Sequence, residues 1–197
     1  MCWTSWKDGW PEAGENLKEG TYEIESVRTG TALELAVEGV PVGGRRAGRG
    51  GGGRFAGAGG VIPPQDVAQV SKNWPAGNMD IRMANYLLQA QQKWTIVPQA
   101  DAGGYPGSPY FKIMIAGTDR ALAATEDAEL VALPAFTGAP EQLWRIDQLS
   151  DGTYRIMPKS IPKSKDALAL SAVGSSSATL AKFDPKSDKQ RWRLKAP

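Results

Sequence analysis

The sequence predicts an all-β fold in which three similar units share one interior, and three observations carry that expectation. Gln-x-Trp followed by an alternating pair occurs three times, as Gln92-Lys93-Trp94-Thr95-Ile96, Gln142-Leu143-Trp144-Arg145-Ile146 and Gln190-Arg191-Trp192-Arg193-Leu194. The tryptophans stand 50 and 48 residues apart. The units also open alike, with GTYEI (20–24), PYFKI (109–113) and GTYRI (152–156), and each continues into an Ala-Leu strand at Ala32-Leu33, Ala121-Leu122 or Ala167-Leu168. Self-similarity at a fixed period is the mark of a repeat architecture.

The strands follow in order. GTYEIESV (20–27) and ALELAV (32–37) alternate apolar and polar residues. PYFKIMIA (109–116), ALAATE (121–126), AELVAL (128–133), GTYRIMP (152–158), ALALSA (167–172) and ATLAKF (178–183) have similar length. Turn residues such as Thr29-Gly30, Gly117-Thr118-Asp119 and Asp151-Gly152 separate them, the pattern of many short strands in a barrel or sandwich. Helical periodicity does not persist beyond two turns, and ANYLLQAQQK (84–93) is the one ambiguous stretch.

The first unit is the longest. From the Ala-Leu strand to the matched apolar residue it carries about 37 extra residues. These coincide with an insert at about 40–78. Its first part, GGRRAGRGGGGRFAGAGG (43–60), holds four arginines (Arg45, Arg46, Arg49, Arg54) and no acid. Such a composition buries too little apolar surface to offset its ordering entropy, so it reads as a flexible loop. Residues 61–78 read as irregular because of Pro63, Pro64 and Pro75, and DAGGYPGSP (101–109) reads as a connector. The expected organisation is therefore an N-terminal arm (1–19) and one domain (20–197), with repeats at about 20–98, 109–148 and 152–195. A four-stranded unit cannot hide its apolar face alone, whereas three around a pseudo-threefold axis close a small barrel. The tryptophan is then a core anchor, and the glutamine amide bonds backbone in the neighbouring turn.

Composition excludes several kinds of chemistry. The chain of 197 residues contains no histidine, which removes Ser-His-Asp and Cys-His machinery and Cys/His zinc sites. Cys2 is the single cysteine, so no internal disulfide forms. The unpaired thiol and an N-terminus without an apolar signal segment point to the cytoplasm. No apolar run is long enough for membrane insertion. A net charge of +2 is too balanced for a dedicated nucleic-acid binder, despite the glycine-arginine segment. The acid groups around Glu126-Asp127 and Glu12-Glu15 lack a plausible acid/base partner, so catalysis, cofactors and metals are not expected.

The triple Gln-x-Trp resembles the ricin-B-type β-trefoil lectins. The layout GTYEI…ALELA…QKWTI, YFKIMIAGTDRALAATEDAELVALPAF and GTYRI…QRWRL is similar to cytosolic fungal agglutinins of that type, the ascomycete ones in particular. The resemblance implies a β-trefoil and a non-catalytic carbohydrate-binding protein for galactose or N-acetylgalactosamine glycans and glycoproteins. It also implies the parts of a sugar site: an acid or amide on the second strand, a stacking ring in the loop after the third, and a polar group beside the Gln-x-Trp glutamine.

The acid position holds Glu34 in the first repeat but Ala123 and Ala169 in the others, so one working site is expected. The position before the glutamine holds Gln91, Glu141 and Lys189 rather than asparagine, and Gln91 offers both donor and acceptor. The expected carbohydrate-binding set is Glu34, Arg82, Asn85, Tyr86 and Gln91, with Trp74 as a platform on the insert; the matched ring position itself falls on Ala84. Each of Glu34, Tyr86 and Trp74 also has a structural alternative, as a solvent-facing strand residue, a packing residue or a loop anchor. Trp3, Trp6 and Trp10 read as an arm tucked on the barrel. One shallow site binds in the millimolar range, about −4 kcal/mol, so avidity through a homodimer is expected. A protease inhibitor or a protein-binding scaffold acting through the long 40–78 loop is the alternative.

Overall fold

The computed structural model describes residues 17–37, 66–105 and 108–197. The tryptophan arm and the glycine-arginine part of the insert lie outside them.

Among the described residues twelve strands form, four to a unit. They are β1 (Gly20–Ser26), β2 (Ala32–Leu35), β3 (Met79–Ala84) and β4 (Trp94–Tyr105), then β5 (Ser108–Ile115), β6 (Ala121–Ala124), β7 (Leu130–Leu133) and β8 (Trp144–Gln148), then β9 (Tyr154–Pro158), β10 (Leu168–Val173), β11 (Ser177–Lys182) and β12 (Trp192–Lys195). The first and fourth strands of each unit pair around a closed ring, β1-β4-β5-β8-β9-β12, and β12 pairs back on β1. Closure leaves the barrel no free edge. The second and third strands make three hairpins, β2–β3, β6–β7 and β10–β11. These cap one end as a triangle: β3 pairs with β7, Leu180 N donates to Ala128 O, and Met83 N donates to Ser176 O.

The core sits under that cap. Trp94, Trp144 and Trp192 are fully buried with Ile24, Leu33, Phe111, Leu122, Ile156 and Leu170. Each indole donates to a hairpin carbonyl, Trp94 to Leu33 O at 2.8 Å, Trp144 to Leu122 O at 2.9 Å and Trp192 to Leu170 O at 2.9 Å. The bonds place the three units in register. Tryptophan and leucine are 61 residues apart in the first unit and 22 in each of the others, so the first unit is longer by 61 − 22 = 39.

Two stretches differ from expectation. Residues 101–105 are not connector: β4 runs on to Tyr105 and meets β5 as a hairpin, with a register shift between Gln99 and Gly104. Gly104 makes this possible, at φ +111° and with a Cβ position only 2.7 Å from Ser108 O. Within 61–78, Val67–Val70 form one helical turn, which Asp66 caps by accepting from Ala68 N at 2.9 Å. The ambiguous stretch 84–93 is mostly irregular, with a 3₁₀ turn at Ala90–Gln92. No helix among the described residues is long and apolar enough to cross a membrane.

Candidate functional site

The Gln-x-Trp glutamines build the same clamp three times. The Gln92 amide donates to Asn85 O and accepts from Leu87 N. Gln142 donates to Ala135 O and accepts from Thr137 N. Gln190 donates to Lys182 O and accepts from Asp184 N. All three glutamines are buried and have both amide atoms satisfied, which fixes the backbone on either side of one residue. That residue is aromatic each time: Tyr86, Phe136 or Phe183.

The rings of the second and third units are met by the same position on the unit's first strand. Lys112 Nζ lies 5.3 Å from the Phe136 ring centre, and Arg155 Cζ lies 4.3 Å from that of Phe183. In the first unit the counterpart is Glu23. Burial, and secondarily the Glu23 charge, raise the Tyr86 phenol above its ordinary range. Thus two rings face cations, and in the first unit the same strand position carries a carboxylate.

Glu23 and Glu25 share the face of β1 opposite the core residue Ile24, and the two are shifted in opposite directions. Burial pushes Glu23 up; Lys195 opposes this and the neighbouring Glu25 adds to it. Burial would also raise Glu25, but the hydrogen bonds and charges of Lys195 and Arg193 prevail and lower it. Those contacts are 2.5 Å from Lys195 Nζ and 3.0 Å from Arg193.

The residues singled out from sequence separate into groups. Glu34 and Arg82 are brought together as a cross-strand pair, Arg82 Nε donating to Glu34 Oε1 at 2.6 Å. Glu34 is 1 % exposed and does not face solvent, whereas the Arg82 side chain is 21 % exposed. Arg82 also reaches Val37 O at 3.4 Å. Asn85 and Tyr86 lie in the clamped loop, with Asn85 exposed and the Tyr86 hydroxyl buried without a partner. Gln91 is buried in the 3₁₀ turn, and its Nε2 has no partner.

Trp74 is not a platform. It is 7 % exposed and packs in the core cluster, because Arg120 fastens the adjoining turn by donating to Pro75 O and to Gly77 O. Burial lowers the Arg120 pKa from the ordinary arginine value.

The third-repeat assignment also shifts. The Trp192 bond makes Leu170 the match for Leu33, so Ser171 rather than Ala169 stands opposite in role to Glu34. The three equivalent cross-strand pairs are Glu34–Arg82, Ala123–Val131 and Ser171–Thr179. Phe136 and Phe183 escaped sequence analysis, although an aromatic six or seven positions before each Gln-x-Trp glutamine was the signal available. A cleft of about 540 Å³ lies beside Phe136, lined also by Gln99, Asp101, Pro140 and Lys159, and none of the residues chosen from sequence borders it. Among the described residues no three acidic, cysteine or histidine side chains gather as a metal site.

Residues 90–181 match the ricin-type β-trefoil lectin domain-like family model. No curated protein matches the chain. Solved structures do. A designed 3-fold symmetric protein, ThreeFoil, is 18 % identical with a TM-score of 0.56, the match covering 88 % of this chain and 96 % of that one. The chain is a β-trefoil. SeviL, solved bound to the asialo-GM1 saccharide, is 12 % identical with a TM-score of 0.51, the match covering 90 % and 97 %. A mosquitocidal holotoxin is 12 % identical with a TM-score of 0.60; there the trefoil covers 91 % of this chain but 17 % of the toxin. At these identities the structural likenesses establish the trefoil alone. The family match supports a lectin-like domain over the second unit and the segments flanking it.

Proposed function

We propose that this trefoil is a non-catalytic carbohydrate-binding protein of the ricin-B lectin family, with one neutral-sugar site in the first repeat. The observation that carries the reading is the Glu34–Arg82 pair. Of three equivalent cross-strand positions it is the only one that is charged, at the place where the family keeps its hydroxyl acceptor. The buried Glu34 carboxylate holds the partly exposed Arg82 guanidinium at 2.6 Å, and that guanidinium supplies the polar contact a sugar hydroxyl needs. The clamped loop with Asn85 and Tyr86 belongs to the same repeat, and its backbone is fixed before any ligand arrives. Alanine and valine in the second repeat offer no polar partner, and Ser171 with Thr179 offers hydroxyls only.

The sugar class is galactose or N-acetylgalactosamine, by likeness to the family, and the asialo-GM1 complex of SeviL is consistent with a galactose-bearing ligand. One shallow site gives millimolar affinity, about −4 kcal/mol, so a homodimer is proposed to supply avidity. A cytoplasmic location and a fungal agglutinin relationship remain part of the same proposal. The test is a glycan array on the full chain with Glu34→Gln and Arg82→Met, both checked for folding by thermal melting. Galactosides bound by the parent and lost in both variants support the reading. A blank array from folded parent protein, or galactoside binding unchanged in both variants, overturns it.

A further inference from the structure

The cleft of about 540 Å³ lies between the far end of β4 and the loop that Gln142 clamps, and neither Glu34 nor Arg82 borders it. Its volume falls within the range of about 300–1,000 Å³ common to small-molecule sites. β4 has twelve residues where β8 has five and β12 four. Gln99 pairs with Tyr110 and Gly104 with Pro109, so residues 100–103 bulge out of the ladder and make one wall. A second wall is the loop around Phe136 and Pro140, whose backbone Gln142 fixes. The space stays open because Gly138, with nothing within 4 Å of where a Cβ would stand, occupies the position that carries Leu88 in the first repeat.

Lys159 joins the two walls. Its Nζ donates to Ala102 O in the bulge at 2.5 Å and lies 4.9 Å from the Tyr110 ring centre, while its backbone N donates to Leu143 O at 2.8 Å. A lysine ammonium has three donors, and the Ala102 bond uses one of them, so a positioned cation borders the cleft with donors to spare. Among the described residues no ion pair engages Lys159 or Asp101. Gln99 commits its Nε2 to Pro98 O at 2.9 Å and keeps its amide oxygen as an acceptor. The lining therefore combines one held cation, two acceptors and the apolar surface of Phe136, Pro140 and Leu143.

We infer that this cleft binds an acidic sugar, a pyranose that bears a carboxylate. Lys159 receives the carboxylate in a charge-assisted hydrogen bond. Asp101 and Gln99 accept from ring hydroxyls, and the C–H face of the pyranose lies against Phe136 and Pro140. A purely apolar ligand would strip water from Asp101 and Lys159 without returning hydrogen bonds, which costs free energy. A phosphate monoester brings about −1.5 to −2 charges against the Asp101 carboxylate. The inference rests on the carbohydrate-binding reading for the class of ligand alone; its residues, and the charge it selects, differ from those of the neutral-sugar site.

The test is an NMR titration of the full chain, read at the backbone amides, with methyl glucuronide and methyl glucoside, which share a ring and differ only in carrying a carboxylate or a hydroxymethyl group. Benzoate and a nucleoside monophosphate are titrated beside them. The glucuronide is expected to shift the Ala102 and Gly138 signals and to bind about threefold to tenfold more tightly than the glucoside, the range for a hydrogen-bonded charge partly open to water. In Lys159→Met that preference should fall to about one, and Lys159→Arg should keep it. Gly138→Leu, which places the first repeat's leucine in the cleft, should lose both sugars while melting within about 5 °C of the parent. Glu34→Gln should leave the glucuronide shifts unchanged, so a failure of the neutral-sugar site is distinguishable from a failure here. No glucuronide shift at Ala102 and Gly138, equal affinity for the glucoside, a preference retained in folded Lys159→Met, unchanged binding in folded Gly138→Leu, or tighter binding of benzoate or the nucleotide would each overturn the inference.

Discussion

The first and third repeats share a skeleton and present opposite chemistry. Both bury a tryptophan that donates to the hairpin leucine carbonyl, and both use a glutamine to clamp an aromatic loop. Yet at the matching first-strand position, one has Glu23 and the other Arg155, which stacks on its ring. Where one hairpin pairs Glu34 with Arg82, the other pairs Ser171 with Thr179. The positions that close the barrel are equivalent because three units must fill one interior without voids. The positions facing outward or along the seam are released from that demand and carry the differences.

The largest effect tests the shared part. Trp94→Ala, Trp144→Ala and Trp192→Ala should each cost about 3–5 kcal/mol, the range for emptying a buried aromatic site, because all three are fully buried and bonded alike. Urea unfolding of the three variants measures it. A cost below about 1 kcal/mol in any one would mean that its repeat does not share the core.

A second prediction separates the two acids of β1. Glu25 has a folded pKa below its unfolded value of about 4.3, so its stabilisation is fully present above that value and disappears as pH falls through the lower folded one. Glu23 has a raised folded pKa, so its ionisation costs stability as pH rises through that value. Glu25→Gln should therefore melt below the parent at pH 7, with the gap closing in acid. Glu23→Gln should melt above the parent at pH 7, with its gap also closing in acid. Melting curves between pH 3 and 7 that shift both variants in the same direction at pH 7 would refute this split.

The smallest effect concerns the clamped loops. Leu88 adopts φ +58° and is 46 % exposed, whereas the matching residue of the second repeat is Gly138 at φ +82°. Leu88→Gly should stabilise by about 0.5–1 kcal/mol by relieving left-handed strain, and Gly138→Ala should destabilise by a similar amount. Unchanged melting in both would show that the loop relaxes around its strain.

Much of this architecture could be read from the chain. Short alternating segments gave the strands, and the Gln-x-Trp spacing gave three units, since a core anchor must recur wherever the core does. The third repeat shows where reading stopped. Ala167-Leu168-Ala169-Leu170 repeats with period two, and a slip of two residues leaves every side chain on the same face of a strand. Ala169 therefore looked equivalent to Glu34, and only the Trp192 bond to Leu170 identified Ser171. Trp74 was misplaced for a related reason: a tryptophan between Asn73 and Pro75 gives no periodicity to show which way it points.

By itself the sequence determined the all-β class, the threefold repetition, the oversized first unit and the absence of histidine chemistry, because these depend on residue type and local spacing. The tertiary structure decided which side chains meet: Glu34 with Arg82, Glu25 with Lys195 and Arg193, Phe183 with Arg155. Contacts between residues far apart in the chain depend on how the strands close into a barrel, and no local pattern encodes the register of that closure.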